Sequence, residues 1–311
     1  MSDPFAGETR SFFAVRLEPT LGGCGTALVT PFNADGSVDE GALAALAEWQ
    51  VEAGIDFLVP CGSTGEAQTL DDAERVRVVE VVVAAARGRV PVVAGATNND
   101  TRRAVAETRR MCDAGADWIL SAAPYYNRPT PPGLVAHFTA VADASSRPVM
   151  LYNIPGRAAV NLAAPTVLEL ARHPRLRAIK ESSGDLRQVM HLLSARPSGF
   201  LVLAGDDWIA AAVGLLGGDG LVSVTANVVP SLMRSLVQAA IAGRAAEAQA
   251  LQWRLLPLME ALFLESNPGP VKAAVAMLGR GGEVPRLPLV VPTEATRAAV
   301  RAELARLGAL A

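Results

Sequence analysis

The chain has 311 residues, half of them hydrophobic, and a formal net charge of −3. Both signs of charge are interspersed, so the basic patch that a nucleic-acid or membrane-surface partner requires is missing, and we expect neither partner. No apolar segment reaches the roughly 18 residues of a membrane span, and the N-terminus does not resemble an export signal. The sequence predicts a soluble cytoplasmic protein.

Residues 1–22 predict an extended N-terminal arm, because prolines and glycines interrupt any regular pattern. From Cys24 onward, eight short apolar runs each precede a turn residue and a helical pattern. The predicted strands are Gly25–Thr30, Ile55–Pro60, Val90–Ala94, Trp118–Ala122, Pro148–Tyr152, Leu176–Ile179, Phe200–Ala204 and Leu221–Val224.

Eight strand–helix units without a dinucleotide-binding fingerprint favour an α/β fold with a closed sheet, the (β/α)8 TIM barrel, over an open sheet. We predict the barrel over residues 23–242 and a C-terminal helical appendage over residues 243–311. In such a barrel the functional residues lie at the carboxyl ends of the strands.

Two helical patterns predict their own buried faces from apolar residues at i, i+3, i+4 and i+7. The first face comprises Leu43, Leu46, Ala47, Gln50 and Val51. The second comprises Val76, Val79, Glu80 and Val83.

The cysteines Cys24, Cys61 and Cys112 are odd in number and have no C-x-x-C spacing. This pattern indicates neither a disulfide framework nor a zinc site. The histidines are scattered, with no carboxylate cluster beside them. We expect three buried thiols and no metal.

Lys180 stands at the predicted carboxyl end of the sixth strand. The chain carries 28 Lys+Arg, of which only Lys180 and Lys272 are lysines. Arginine keeps its proton in proteins, whereas a desolvated lysine can become a neutral nucleophile that condenses with a ketone. The alternative for Lys180 is a surface lysine at a strand end. Lys272, after Pro268-Gly269-Pro270, is expected to begin a surface helix.

The segment Gly62-Ser63-Thr64-Gly65-Glu66 follows the second predicted strand. Its backbone N–H groups can hold a carboxylate, as such glycine-flanked turns do. The alternative is a tight turn whose hydroxyls cap the helix that begins near Asp71.

All three tyrosines of the chain lie at two strand ends, Tyr125 and Tyr126 after the fourth strand and Tyr152 at the end of the fifth. Phenols suit a position between an apolar pocket and a proton-transfer task. Aromatic packing at the barrel mouth is the alternative. Gly205-Asp206-Asp207 after the seventh strand either lines the site or caps the next helix.

Six motifs occur in order between Cys24 and the C-terminus, and together they resemble the dihydrodipicolinate synthase and N-acetylneuraminate lyase family. The likeness extends into Asn267-Pro268-Gly269-Pro270-Val271-Lys272. The motifs are Gly62-Ser63-Thr64-Gly65-Glu66, Tyr125-Tyr126-Asn127-Arg128-Pro129, Tyr152-Asn153-Ile154-Pro155-Gly156-Arg157, Ile179-Lys180-Glu181, Gly205-Asp206-Asp207 and Val222-Ser223-Val224.

The resemblance implies a lyase, a pyruvate-dependent class I aldolase-type barrel without a metal or other cofactor. Lys180 would form a Schiff base with pyruvate, which becomes a nucleophilic enamine. Tyr152 would relay protons in a chain completed by Ser63 or Thr64 and by Tyr126. In the family this last phenol reaches in from a neighbouring subunit, so the resemblance implies a homotetramer, or at least a dimer.

The resemblance also implies substrate contacts. Backbone groups around Ser63 and Thr64 would hold the pyruvate carboxylate, and Gly205 and Val222 would supply backbone near the lysine. Arg157 would bind the carboxylate of the second substrate, aspartate semialdehyde, as in lysine biosynthesis.

Two departures from the synthase pattern keep an alternative open. Ser63 replaces the usual threonine, and Ala158-Ala159 replaces the usual Thr-Gly. The alternative is a Schiff-base aldolase, dehydratase or deaminase acting on another 2-keto acid, of the N-acetylneuraminate lyase or keto-deoxy sugar acid type. A sensor that binds a keto acid without turnover would need no amine nucleophile.

Lysine-sensitive relatives bind lysine between an asparagine, a tyrosine and a glutamate. The resemblance places Asn99 and Tyr125 at the first two positions and Arg103 at the third. We therefore expect free lysine not to inhibit this protein.

Overall fold

The computed structural model describes residues 21–310, so the predicted N-terminal arm lies outside the described residues except for its last two positions. The strands are β1 (Gly23–Ala27), β2 (Phe57–Val59), β3 (Val93–Gly95), β4 (Trp118–Ala122), β5 (Val149–Asn153), β6 (Leu176–Glu181), β7 (Leu201–Ala204) and β8 (Gly220–Ser223). The helices are α1 (Glu40–Glu52), α2 (Asp72–Ala86), α3 (Thr101–Asp113), α4 (Pro131–Ala144), α5 (Pro155–Ala158), α6 (Ala164–Leu170), α7 (Leu186–Ala195), α8 (Ala210–Leu215), α9 (Pro230–Ile241), α10 (Ala245–Ala261), α11 (Gly269–Met277) and α12 (Glu294–Arg306).

The strands are all parallel and lie in the order β2-β1-β8-β7-β6-β5-β4-β3. A bridge between Leu58 and Val92 joins β2 to the strand segment at β3, so the sheet closes. This confirms the predicted α/β class and the (β/α)8 TIM barrel with C-terminal helices. Parallel closure brings the eight carboxyl ends to one face.

Each predicted strand overlaps an observed one, and the fourth coincides with β4. β6 continues beyond the predicted Ile179 as far as Glu181, so Lys180 is its penultimate residue. The lysine therefore lies at the carboxyl end of its strand, as the sequence predicted.

Inside the barrel, one large side chain faces a glycine on the neighbouring strand. Phe57 of β2 is fully buried and lies over Gly25 of β1, where an added Cβ would come within 2.0 Å of the phenyl ring. Gly25 is thus required for Phe57 to fill the barrel. The interior apolar cluster extends from Leu21 to Tyr152 at the carboxyl end.

The predicted buried face of α1 is confirmed, because its buried residues are the five predicted ones.

The prediction for α2 was wrong in part. Its buried face includes Val78, Val79 and Val82, whereas Glu80 is exposed and pairs with Arg77. Valines occur on several sides of this helix, so packing against its neighbours, and not spacing, selects the face.

α10 packs on the barrel through Gln252, which accepts a hydrogen bond from the Ala211 backbone N–H (3.1 Å) and donates one to the Asp207 carbonyl (3.1 Å). The division of the chain into domains at residue 243 stays a prediction, although α9 ends at Ile241 and α10 begins at Ala245.

The prediction that Lys272 begins a surface helix was wrong. Lys272 lies in α11 with no exposed surface, and its Nζ forms an ion pair with Glu66 Oε1 at 2.6 Å. All residues of α11 from Gly269 to Val275 are buried, so the whole first half of the helix is covered by the protein.

The three cysteines are buried and unpaired, as predicted. Burial raises the pKa of the Cys61 thiol to about 12. Over residues 21–310, no helix is long and apolar enough to cross a membrane, and no cluster of three or more His, Cys, Asp or Glu could hold a metal ion.

Candidate active site

A cavity of about 270 Å³ lies at the carboxyl face of the barrel. Its wall includes residues at or just beyond the ends of several strands, among them Gly95 of β3, Ala122 of β4 and Tyr152 of β5. Ser63 and Arg157 also line it. Of the predicted site residues, the cavity therefore brings Ser63, Tyr152 and Arg157 together, at the face expected for this barrel. The others do not line it: Lys180, Thr64, Tyr126, Gly205 and Val222.

Lys180 and Tyr152 are neighbours on adjacent strands. They are register partners in the β5–β6 pair, and Tyr152 belongs to the apolar cluster inside the barrel. Lys180 Nζ lies 4.1 Å from the centroid of the Tyr152 ring. Both residues are buried, with 6% and 5% of their surfaces exposed. The alternative of a surface lysine at a strand end is therefore wrong.

Gly205 follows β7 and leaves room for the lysine. A Cβ at this position would come within 2.7 Å of Lys180 Cγ and 2.0 Å of Ser182 Oγ. Only glycine permits this close approach of the backbone to Lys180. Val222 of β8 is buried in the interior cluster that also contains Tyr152 and Leu203.

The turn after β2 places Ser63 in the cavity wall and buries Thr64 behind it. The turn is closed by backbone hydrogen bonds from Gly65 to Gly62 (3.1 Å) and from Glu66 to Ser63 (3.2 Å). Glu66 adopts the left-handed conformation, with φ 52°.

The hydroxyls of this turn do not cap α2. Asp71 caps that helix with its own carboxylate, which accepts a hydrogen bond from the Glu74 backbone N–H (2.8 Å). The Glu74 carboxylate in turn accepts a hydrogen bond from the Asp71 backbone N–H (3.0 Å). This capping box is self-sufficient. The capping alternative for Ser63 and Thr64 is therefore wrong.

Arg157 extends from the short helix α5 beside the cavity. Its guanidinium donates a hydrogen bond to the Asn267 carbonyl (3.3 Å), and the Asn267 amide donates to Thr64 Oγ1 (3.0 Å). Ala158, one of the two departures from the family pattern, also lines the cavity. Ala159 ends α5 in the left-handed conformation, with φ 58°.

Asn267 was missed as a site residue, although it belongs to a motif on which the resemblance rests. It is 203 residues from Thr64 in the chain, so no local spacing connects the two. The signal available was an asparagine before Pro-Gly-Pro, a pattern of loops that contact a site.

The two adjacent tyrosines point in different directions. Tyr125 lines the cavity and packs against the core. Tyr126 is 87% exposed and adopts a left-handed backbone, with φ 73°. A single chain therefore does not bring Tyr126 to the cavity.

Asp206 and Asp207 have structural partners. Asp206 accepts a hydrogen bond from the Trp208 backbone N–H (3.2 Å) and so caps the helical turn that follows β7. Capping was the alternative to lining the site that the sequence left open for this motif. Asp207 is buried and accepts from the backbone N–H (2.9 Å) and hydroxyl (2.7 Å) of Thr225. Burial raises the pKa of the Asp207 carboxyl, and these hydrogen bonds partly offset the rise.

The fold and the site define a barrel protein with a buried lysine–tyrosine pair at its carboxyl face. Residues 20–307 match the dihydrodipicolinate synthetase family, and the chain belongs to this family. It is 49% identical to the 4-hydroxy-tetrahydrodipicolinate synthase of Koribacter versatilis over 291 residues, which cover 93% of this chain and 97% of that one.

Solved structures agree. The chloride-inhibited dihydrodipicolinate synthase of Acinetobacter baumannii, complexed with pyruvate, is 40% identical, with a TM-score of 0.92 over 94% of this chain and 100% of that one. DHDPS from Cyanidioschyzon merolae with lysine bound is 37% identical, with a TM-score of 0.90 over 93% of this chain and 99% of that one.

Proposed function

We propose that the chain is a 4-hydroxy-tetrahydrodipicolinate synthase, a lyase that condenses pyruvate with aspartate semialdehyde in lysine and diaminopimelate biosynthesis. The observation that carries the proposal is the contact of Lys180 Nζ with the Tyr152 ring at the carboxyl face of the barrel. The identity of 49% to a synthase over nearly the whole chain supports it.

The reaction begins with attack of the Lys180 amine on the keto carbon of pyruvate. Water leaves, and the resulting iminium draws electrons so that the methyl group loses a proton and an enamine forms. Tyr152 is the group placed to carry protons to and from the reacting atoms, because its side chain contacts Lys180 and lines the cavity. No metal or separate cofactor takes part in this scheme.

The turn of Ser63 and Thr64 receives the pyruvate carboxylate. Ser63 lies in the cavity wall, and the N–H groups of a tight turn converge on an anion. Ser63 or Thr64 also passes protons to Tyr152. The backbone at Gly205 and Val222 completes the surroundings of the lysine, and Gly205 does so by its close approach to Lys180.

The second substrate binds on the side of Arg157, whose guanidinium pairs with its carboxylate. The enamine carbon adds to the aldehyde, and a carbon–carbon bond forms. The amino group of the adduct then attacks the iminium carbon, closes the ring and releases Lys180. One water molecule is lost per turnover, in the first step.

We further propose a cytoplasmic homotetramer, at least a dimer, in which Tyr126 of one chain completes the proton relay of another. The exposure of Tyr126 supports this arrangement, since an exposed phenol on a strained backbone is available to a second copy of the chain.

The test is pyruvate-dependent consumption of aspartate semialdehyde, run beside N-acetylneuraminate and 2-keto-3-deoxy sugar acids. Turnover of aspartate semialdehyde supports the proposal. Cleavage of a sugar acid in its place supports the alternative 2-keto acid activity. Binding of pyruvate without any turnover contradicts both.

A further inference from the structure

Glu181, the residue directly after Lys180 in β6, is a buried carboxylate without a cationic side chain paired to it among residues 21–310. It is 1% exposed, and within residues 21–310 no lysine, arginine or histidine forms an ion pair with it. A buried carboxylate of this kind persists only where hydrogen-bond donors replace its water shell. Successive strand residues point to opposite faces, so Glu181 points away from the interior occupied by Lys180.

Both carboxylate oxygens of Glu181 face N–H donors only. The Ser183 backbone N–H donates to Oε1 (2.7 Å), and the Gln188 amide donates to Oε2 (2.9 Å). The Asn153 amide nitrogen lies within bonding distance of both oxygens, at 3.1 and 3.0 Å. An acceptor-only group is therefore required at position 181.

One backbone donor fixes the orientation of Asn153, and the other amides around Glu181 are then oriented one by the next. The Leu162 backbone N–H donates to Asn153 Oδ1 (2.8 Å), so Asn153 must present its NH₂ group to Glu181 and to Asn161 Oδ1 (2.7 Å). The Asn161 amide then donates to Gln188 Oε1 (2.9 Å). Gln188 must in turn present its NH₂ group to Glu181.

This network joins the residues that follow the two reacting side chains. Asn153 follows Tyr152, Glu181 follows Lys180, and both pairs are register partners across β5 and β6. We propose that Glu181 is a positioning residue for the Schiff-base reaction: its carboxylate fixes the two strand ends and thereby the contact of Lys180 with Tyr152. The inference rests on the function proposed above.

The test is Glu181→Gln, which keeps the size of the side chain but places an NH₂ group against other N–H donors in either orientation. We expect kcat, and the rate at which pyruvate and borohydride trap Lys180, to fall at least about tenfold, since a misplacement of about 1 Å can cost a hundredfold. Both rates are measured per folded molecule, well below the melting temperature of the variant.

A second substitution tests the hydrogen-bond account by rescue. In Glu181→Gln with Asn153→Asp, the new carboxylate at 153 accepts from the Leu162 N–H and from the new amide at 181. Asn161 and Gln188 can then turn their amides over, so every donor again meets an acceptor. We expect the double variant to regain most of the lost rate.

Asp219→Asn is the control, because it removes another carboxylate that accepts a backbone N–H, that of Val202 (2.7 Å); Asp219 is partly buried and is paired with Arg196. Asp219 lies before β8, at the opposite end of the barrel from the cavity. We expect this variant to lower the melting temperature without lowering the rate of trapping.

A folded Glu181→Gln variant with rates within about twofold of the parent overturns the inference, and so does a folded double variant that regains nothing. Should Glu181→Gln not fold, the milder Gln188→Ala decides, with slower trapping in support and unchanged trapping against. A parent enzyme that does not trap pyruvate refutes the proposed function instead.

Discussion

Lys272 Nζ donates a hydrogen bond to Glu66 Oε1 at 2.6 Å, and neither side chain reaches solvent. The ammonium also lies 4.0 Å above the ring centroid of Phe32, and Glu66 Oε2 accepts from the Arg286 backbone N–H (2.9 Å). The pair joins α11 to the turn that carries Ser63. Burial lowers the pKa of Lys272, and the charge of Glu66 opposes that shift.

Removing one partner of this pair should destabilise the protein strongly. Lys272→Met leaves a buried carboxylate uncompensated, and we expect a loss of about 3–5 kcal/mol in the free energy of unfolding, measured by urea titration. Adding Glu66→Gln should recover part of the loss, since no uncompensated charge then remains. Arg306→Met, which breaks a more exposed pair with Glu303, is the control and should cost much less. Equal losses in both single variants would contradict the buried-pair account.

The sequence predicted the barrel because its signals are local. Apolar runs and turn residues recur along the chain, and Lys180 was recognised by its position at the end of one run. The partners of Lys272 and Asn267 could not be predicted in the same way, since Glu66 and Thr64 are 206 and 203 residues away. One signal was overlooked: α11 is apolar on all sides around Lys272, a pattern typical of a buried helix.

Pyruvate and borohydride should modify Lys180 and leave Lys272 unmodified. Lys180 is 6% exposed and contacts the wall of the cavity, whereas Lys272 has no exposed surface and is ion-paired. Peptide mapping by mass spectrometry locates the reduced adduct. Lys180→Arg is the control, because arginine keeps the charge but cannot form the imine. An adduct on Lys272, or one that survives in the control variant, would refute the assignment.

Tyr126→Phe should abolish most turnover while pyruvate trapping on Lys180 persists. General acid–base groups contribute on the order of a hundredfold or more, and the phenol of Tyr126 is proposed to act in a second chain. Mixing Tyr126→Phe chains with Lys180→Ala chains should restore activity, because each mixed pair contains one site with both groups. Mixing Tyr126→Phe chains with chains that carry both substitutions is the control. Activity that does not return in the first mixture contradicts a relay between subunits.

Arg157→Ala should leave pyruvate trapping intact and lower turnover steeply. The proposed partner of Arg157 is the carboxylate of the second substrate, and losing a charged partner in a desolvated site costs on the order of a few kcal/mol, or a hundredfold or more in kcat/KM. Arg157→Lys keeps the charge but loses the paired N–H groups, so an intermediate effect is expected. Loss of trapping with turnover retained would show that Arg157 serves pyruvate instead.

Arg103 lies in a second cavity, of about 570 Å³, beside the helix α3. The three acidic groups that line this cavity are engaged by other arginines: Asp100 by Arg102 (3.1 Å), Asp72 by Arg110 (2.9 Å) and Glu107 by Arg75. In residues 21–310, Arg103 itself has no ion-pair partner. If Asp72 or Asp100 rotated toward Arg103, it would neutralise the arginine and weaken the expectation that lysine does not inhibit. Such a rotation would have to break the ion pair that each aspartate already forms.

Free lysine should accordingly fail to inhibit the enzyme. Asn99 and Tyr125 lie together, since the Asn99 amide donates to the Tyr125 carbonyl (3.2 Å), but the position expected to attract the effector's ammonium holds the unpaired Arg103. At about 4 Å and an effective dielectric constant near 20, loss of the attraction alone costs about 4 kcal/mol, or roughly a thousandfold in affinity, and the repulsion adds to that loss. Inhibition curves with lysine on the parent and on Arg103→Glu measure the effect, with Arg102→Glu, whose own partner is Asp100, as the control. We expect a flat curve for the parent and inhibition only after Arg103→Glu. Half-inhibition of the parent at or below about a millimolar, a typical scale for a small metabolite, contradicts the prediction.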